Sequence, residues 1–308
     1  MALHPKVIRI SWTVRCVQPV TLRLLAVHAH PDDESSKGAA TYAAYRDRGA
    51  EVLVVSCTGG EAGSVLNETL VHRAWAERDM AGLRRVEMAG AQAAMGIEHR
   101  WLGFVDSGLP EEGETIRDDS FAAIPLEFSG PPLVRLIREF RPQVLVAYDE
   151  LGGYPHPDHI RAHEVAIWAR DVAASSSYPE LGEPWQVLKT YYDRIFNPDR
   201  VTAMYELLVE RDPEGEATKN LAEIMKWERS PKPAATTHVP VGEFLEIRDA
   251  ALRSHASQVA PDNSFFFTPN DVQREAWPYE DFELVDSRVE TTLPENDLFA
   301  GIEDDDPA

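Results

Sequence analysis

LRLLAV (22–27) runs directly into HAHPDDE (28–34), and the nature of that junction decides the fold. The apolar run is short and nearly continuous, which suits a strand buried on both faces of a parallel sheet. A turn stiffened by Pro31 follows at its carboxyl end, where doubly wound sheets place their ligands. A dinucleotide-binding turn would need glycines there. This one carries two histidines, two aspartates and a glutamate, which is poor chemistry for phosphate and good chemistry for a metal. Imidazole nitrogen and carboxylate oxygen both ligate zinc, and three such ligands leave a position open for water. Taken alone, the same residues also suit an acidic cap on the next helix.

Outward from this turn, strand and helix signals alternate as far as about Ala174. The pattern predicts helices over 36–48, 75–95, 131–140 and 158–173, with strands at 51–57, 99–104 and 144–148. Strands alternating with helices imply an α/β, Rossmann-like layered fold with a mostly parallel sheet. Beyond Ser175 the connections become polar and proline-rich around short elements (187–196, 201–210, 241–255). Residues 20–175 therefore read as a metal-binding catalytic region. Residues 176–295 read as a C-terminal subdomain packed on the sheet and closing one side of the pocket, and 296–308 as a solvated acidic tail. The leader 1–19 contains no acidic residue; it is expected to lie outside the fold, with Val20 as an alternative start.

The 308 residues carry 30 Lys+Arg against 52 Asp+Glu, a net charge of −22, which argues against a nucleic-acid partner. Two cysteines, Cys16 and Cys57, are too few for a disulfide framework or a cysteine-based zinc knuckle. There is no membrane-length apolar run, and the leader lacks the features of a secretory signal, so a cytoplasmic location with no membrane partner is expected. Oligomeric state is left open.

A second polar turn follows the strand VLVAY (144–148): DELGGYPHPDH (149–159). Two His-Pro-Asp turns at the carboxyl ends of neighbouring parallel strands would face one crevice. A lone His-x-x-His is weak; paired with the first turn it is strong.

With both turns quoted, AHPDDE (29–34) and HPDH (156–159), the chain resembles the LmbE/PIG-L-type zinc deacetylases from about Leu22 onward. Within them SSKGAAT (35–41), CTGGEAGSVLN (57–67) and VDSGLPE (105–111) are most similar to the branch acting on mycothiol S-conjugates. The resemblance implies His30, Asp33 and His159 as ligands of Zn2+, with Fe2+ also compatible with that donor set. It implies Asp32 as general base, His156 as acid or oxyanion stabiliser and Tyr154 as a mobile carbonyl-polarising group. Arg85 and Asp106 would hold sugar or inositol hydroxyls, and Lys37 marks the conjugate-cleaving branch. The implied partner is a small-molecule thiol conjugate, cleaved at the amide between a modified cysteine and glucosaminyl-inositol. Deacetylation of the N-acetylglucosaminyl-inositol precursor, and a catalytically silent Rossmann-like binding module, are the alternatives.

From the residues alone the supporting positions have plainer readings. Arg85, in an Arg84-Arg85 pair, suits a solvated helix face, and Lys37 an ordinary helix position. Asp106 suits a turn before Gly108, and Tyr154 a packed aromatic after Gly152-Gly153. His28 alternates away from His30 and reads as core.

Overall fold

The computed structural model describes residues 21–111, 115–226 and 235–303. The leader 1–19 and the last residues of the tail, 304–308, lie outside the described residues. The opening apolar run is β1 (Arg23–His28). It is followed along the chain by β2 (Glu51–Thr58), β3 (Glu98–Phe104), β4 (Val144–Ala147), β5 (Lys189–Asp193), β6 (Thr237–Pro240) and β7 (Tyr279–Ser287). They form one sheet in the order β3-β2-β1-β4-β5-β7-β6. Strands β1 to β5 are parallel; β7 runs antiparallel to β5, and β6 antiparallel to β7. The layered, mostly parallel α/β architecture expected from the alternating pattern is the one observed.

The continuous apolar strands follow from burial on both faces. Along β1 and β2, Leu24, Ala26, Val52 and Val54 enter one core. There they meet α2 (Ala39–Asp47), α4 (Met80–Met95) and α10 (Leu245–Ser254). Leu25, Val27, Leu53 and Val55 point oppositely into a second core under α6 (Pro131–Phe140) and α7 (Pro157–Ala173). Each such aliphatic side chain contributes about 1.5–3 kcal/mol on burial. A third, smaller cluster of Met204, Leu208, Leu221 and Val272 joins α8 (Pro198–Arg211), α9 (Glu216–Met225) and α11 (Asn270–Ala276). The short helices α1 (Asp33–Ser36), α3 (Arg73–Arg78) and α5 (Leu126–Ser129) complete the set.

Strand order reverses between β1 and β4, so their carboxyl ends flank the crevice where such sheets bind ligands. Both polar turns leave from those ends.

Several boundaries differ from expectation. The helix expected over 75–95 is two, α3 and α4. Asp79 leaves helical geometry between them, and its side chain caps α4 by accepting from the Gly82 N–H at 2.8 Å. The helix expected from Ser36 is interrupted at Lys37-Gly38 and restarts at Ala39. The C-terminal half does not merely pack on the sheet: it supplies β5, β7 and β6. The tail expected to be solvated from residue 296 stays inside as far as Phe299, because Leu298 and Phe299 join the first core. Just before them, the buried Glu295 carboxylate accepts from Lys189 Nζ at 2.7 Å, Tyr191 at 2.5 Å and Thr237 at 3.1 Å. No helix among the described residues is long and apolar enough to cross a membrane.

Candidate metal and amide-hydrolysis site

The turn after β1 places His30 and Asp33 side by side. The His30 backbone N–H donates to Asp33 Oδ2 at 3.0 Å, and His30 Nδ1 lies 3.5 Å from the same oxygen. From the facing turn, His159 Nε2 lies 3.4 Å from that oxygen. Two ligands at about 2.1 Å from a tetrahedral zinc lie about 3.4 Å apart, so each histidine nitrogen stands from Asp33 Oδ2 at the separation of two ligands sharing one ion.

His159 supplies a sharper test. Its Nδ1 donates to the Gly152 carbonyl at 2.9 Å, which in the neutral ring leaves Nε2 as the lone-pair nitrogen. That Nε2 is buried without a hydrogen-bond partner. A buried bare acceptor is costly unless something fills it, and a cation between the histidines and Asp33 would do so. The ligand-capable atoms of His156 also lie within 4.8 Å of those of His30 and His159.

Local sequence explains the placement. Gly152 adopts φ +70°, and a Cβ there would stand 2.5 Å from the His159 Cβ; only glycine lets its carbonyl approach the ring. His156 caps α7, its Nδ1 accepting from the Asp158 N–H at 3.1 Å, so its Nε2 carries the proton. Asp158 is fully buried. It accepts from His30 Nε2 at 3.2 Å, from the Ser107 N–H at 2.9 Å and from the Ser107 hydroxyl. Asp106 Oδ1 stands 3.5 Å from His30 Nε2. Carboxylates behind a histidine fix its orientation and raise its basicity toward a metal.

The electrostatics agree. Burial would lower the His30 pKa, but hydrogen bonds to Asp106, Asp158 and Asp33 outweigh it and hold the ring well above the usual histidine range. The field that attracts a proton there also attracts a divalent cation. Burial would raise the Asp33 carboxyl, but His159 and Lys37 pull it well below its ordinary value. His156 is held down at about 4, chiefly by burial, then by the charges of His30 and His159, so it is a neutral donor at pH 7.

Asp32 is partly open to the crevice and sits at φ 114°, ψ −28°, a region that costs a non-glycine residue about 1–3 kcal/mol. Two contacts hold it. Its backbone N–H donates to Glu34 Oε2 at 2.9 Å, and its carboxylate accepts from Arg84 Nη2 at 2.7 Å. Burial raises its pKa, Arg84 offsets part of that, and Asp33 adds to it. Glu34 is fully buried and bonds the equally buried His255 at 2.7 Å. The C-terminal half thereby braces the Asp32 backbone.

The remaining candidates fall differently. Lys37 is buried with its ammonium on Asp33 Oδ1, so it faces the expected ligand directly. Tyr154 is 42% exposed at the mouth, its ring 4.6 Å from that of His159. His28 is core, bonded to Tyr42 at 3.0 Å. Arg85 is exposed on the outer side of α4; its neighbour Arg84 reaches the crevice. There Arg84 also donates to the Gly60 carbonyl at 2.9 Å and to that of Pro31. Helical phase could have found it, since Leu83, Arg84, Glu87, Met88, Ala91 and Met95 form the buried stripe of α4 and Arg85 is out of step. Asp158 stood unused inside the quoted HPDH motif. His255 has no comparable local signal.

With fold and geometry in hand, comparison with known proteins is specific. The family described as PIG-L: GlcNAc-PI de-N-acetylase matches residues 25–169. The chain belongs to this family of deacetylases and amidases, metal-dependent hydrolases of linear amide C–N bonds. It is 49% identical over 288 residues to the mycothiol S-conjugate amidase of Streptomyces coelicolor, covering 92% of this chain and 98% of that protein. It is 38% identical over 292 residues to the 1D-myo-inositol 2-acetamido-2-deoxy-alpha-D-glucopyranoside deacetylase of Streptomyces avermitilis, covering 91% and 97%. Among solved structures, the conserved protein TT1542 from Thermus thermophilus shares the fold, with TM-score 0.55 and 22% identity over 88% of this chain and 98% of that one.

Proposed function

We propose that this protein is a zinc-dependent amidase of mycothiol S-conjugates, releasing an S-substituted N-acetylcysteine and glucosaminyl-inositol. The observation that carries the metal chemistry is the buried, unpartnered His159 Nε2, 3.4 Å from Asp33 Oδ2. The substrate reading is supported by 49% identity to an amidase with that name.

His30, Asp33 and His159 would hold the ion, which supplies a Lewis acid for the carbonyl and acidifies water in the site. Asp32 takes the proton of the attacking water as its oxygen bonds the acyl carbon. The His156 Nε2–H donates to the developing oxyanion, an interaction worth about 2.7–4 kcal/mol in a dry site. Tyr154 approaches the same oxygen from the mouth. Asp32 then returns the proton to the nitrogen, the C–N bond breaks, and a carboxylic acid and an amine leave. Arg84 steadies the ionised Asp32, and it stands nearer the crevice than the exposed Arg85, of which a sugar-holding role was expected. Asp106 acts behind His30.

Deacetylation of N-acetylglucosaminyl-inositol is the second reading, favoured by the relatives at 38% identity. Rates on an S-conjugate and on the N-acetyl precursor, with metal analysis of freshly purified protein, decide; a preference for the precursor refutes the amidase reading. Asp32→Asn is expected to retain metal and lose about 100- to 10,000-fold in kcat. Undiminished turnover removes Asp32 from the mechanism.

A further inference from the structure

A cavity of about 120 Å3 lies beside the crevice, between the carboxyl end of β5, the start of β7 and helices α8 to α11. Its apolar wall is Phe196, Met204, Leu221, Ile224 and Phe265. That volume approaches the roughly 150 Å3 of a cavity that accepts a benzene ring.

Two of its polar groups have donors with no hydrogen-bond acceptor among the described residues. Gln273 is 2% exposed and lines the cavity. Its Oε1 accepts from Arg248 Nη1 at 2.7 Å, which fixes the amide orientation, and its Nε2 is buried with no acceptor. Arg200 also lines the cavity and has no hydrogen bond or ion pair among the described residues. The acids on the same wall are engaged: Glu280 accepts the Thr41 N–H at 2.8 Å. Asp281 accepts from His238 at 2.7 Å, Asn197 at 2.8 Å and Trp277 at 3.0 Å. Gln273 Nε2 is therefore a buried donor that calls for an acceptor, and the half-buried Arg200, which meets Asp281 and Glu280 only through their charge, is a second donor on the same wall. A carboxylate suits a guanidinium best.

The cavity touches the metal turn. Ser36 and Lys37 line it, and the Lys37 ammonium bonds Asp33 Oδ1. Strands β4 and β5 are neighbours and β7 is next. Across the sheet the cavity is thus displaced from the β1/β4 crevice by about two strand spacings, roughly 10 Å.

We propose that this cavity is the subsite for the sulfur-linked substituent of the acyl half. It takes a compact aromatic or apolar group carrying an acceptor, with Gln273 Nε2 and the Arg200 guanidinium as the donors that meet it. The assignment rests on the amidase reading above.

The test compares kcat/KM on three conjugates of N-acetylcysteinyl-glucosaminyl-inositol, S-methyl, S-benzyl and S-(4-carboxybenzyl), with the N-acetyl precursor alongside. Wild type is expected to favour S-benzyl over S-methyl at least tenfold, and the carboxylate to add severalfold. Gln273→Leu and Arg200→Leu each erase the carboxylate gain while the benzyl-to-methyl ratio persists. Met204→Trp, which fills the cavity, collapses that ratio; Ile224→Phe reads the same ratio if Met204→Trp does not fold, with metal content and Tm as controls. Equal rates on all three conjugates, or ratios that the filling and donor variants leave unmoved, overturn the subsite and leave the amidase reading standing. Deacetylation of the precursor with no cleavage of any conjugate overturns both.

Discussion

Replacing His255 by leucine measures how strongly the C-terminal half braces the base. His255 and Glu34 are both fully buried and 2.7 Å apart. Although burial would raise it, Glu34 is held down at about 2, first by the His255 charge and then by hydrogen bonds from His255, Ser35 and the Asp32 N–H. A fall from the ordinary 4.5 to about 2, at about 1.36 kcal/mol per pH unit, corresponds to about 3 kcal/mol. That matches the roughly 3–5 kcal/mol lost when one partner of a buried pair is removed. The Glu34 contribution is present above pH 4.5 and lost as pH falls toward 2. His255 is shifted upward: burial opposes the shift, and Glu34 outweighs it. Its contribution is present below pH 6.5 and lost as pH rises through its folded value. Urea unfolding with metal chelated should therefore show His255→Leu less stable than wild type by up to about 3 kcal/mol between pH 4.5 and 6.5, since Ser35 and the Asp32 N–H supply part of the Glu34 shift, with the gap narrowing on both sides. A gap below about 1 kcal/mol, or one flat with pH, refutes the bracing argument. Where the variant stays folded, kcat should fall more than KM rises, because Glu34 holds the Asp32 backbone rather than substrate.

Arg84→Met should reduce kcat/KM by 100-fold or more, whereas Arg85→Met stays within threefold of wild type; equal losses would remove the distinction drawn from their exposure. Gly152→Ala forces a Cβ to within 2.5 Å of the His159 Cβ at φ +70°, so zinc affinity in a chelator competition should drop about 10- to 100-fold; unchanged affinity would show that the turn can relax. Burial holds His99 down at about 4, with Ser56 Oγ 2.9 Å from its Nε2. Because that value lies below the unfolded 6.5, its stability contribution is complete above pH 6.5 and declines by up to about 3 kcal/mol as pH falls to 4. His99→Gln should flatten that window in urea midpoints taken at about pH 4.5 and 7.5, and an unchanged slope would exonerate His99.

The half of the fold around β1 and β4 was legible because its signals are local. An apolar run of strand length, ended by a polar turn and followed by a helix, says parallel sheet without reference to anything distant. The metal turn was readable for the same reason, since its residues stand within a few positions of one another. The antiparallel strands β6 and β7 were not, because their identity depends on pairing across the whole chain. Arg84, which bonds Asp32, stands one helical position from the Arg85 singled out from sequence, and the His255–Glu34 pair was not visible because a partner 221 residues away leaves no local pattern. The tail misled because ENDLFAGIEDDD is acidic by composition, while two of its residues, Leu298 and Phe299, reach the core.

The Glu295 contact also bears on the order in which the chain can assemble. Lys189 Nζ is buried on β5, and both its hydrogen-bond acceptors, Glu295 and the Ala300 carbonyl, lie more than a hundred residues downstream. During synthesis the crevice-forming part is complete once α7 has left the ribosome, but a β5 added to it at that stage holds Lys189 without the carboxylate that neutralises it in the finished fold. Until nearly all the described chain has emerged, that side of the growing sheet lacks its native charge partner. An unfinished sheet edge is where a nascent chain meets other strands, so translation speed past residue 189 is expected to bear on the yield of folded protein.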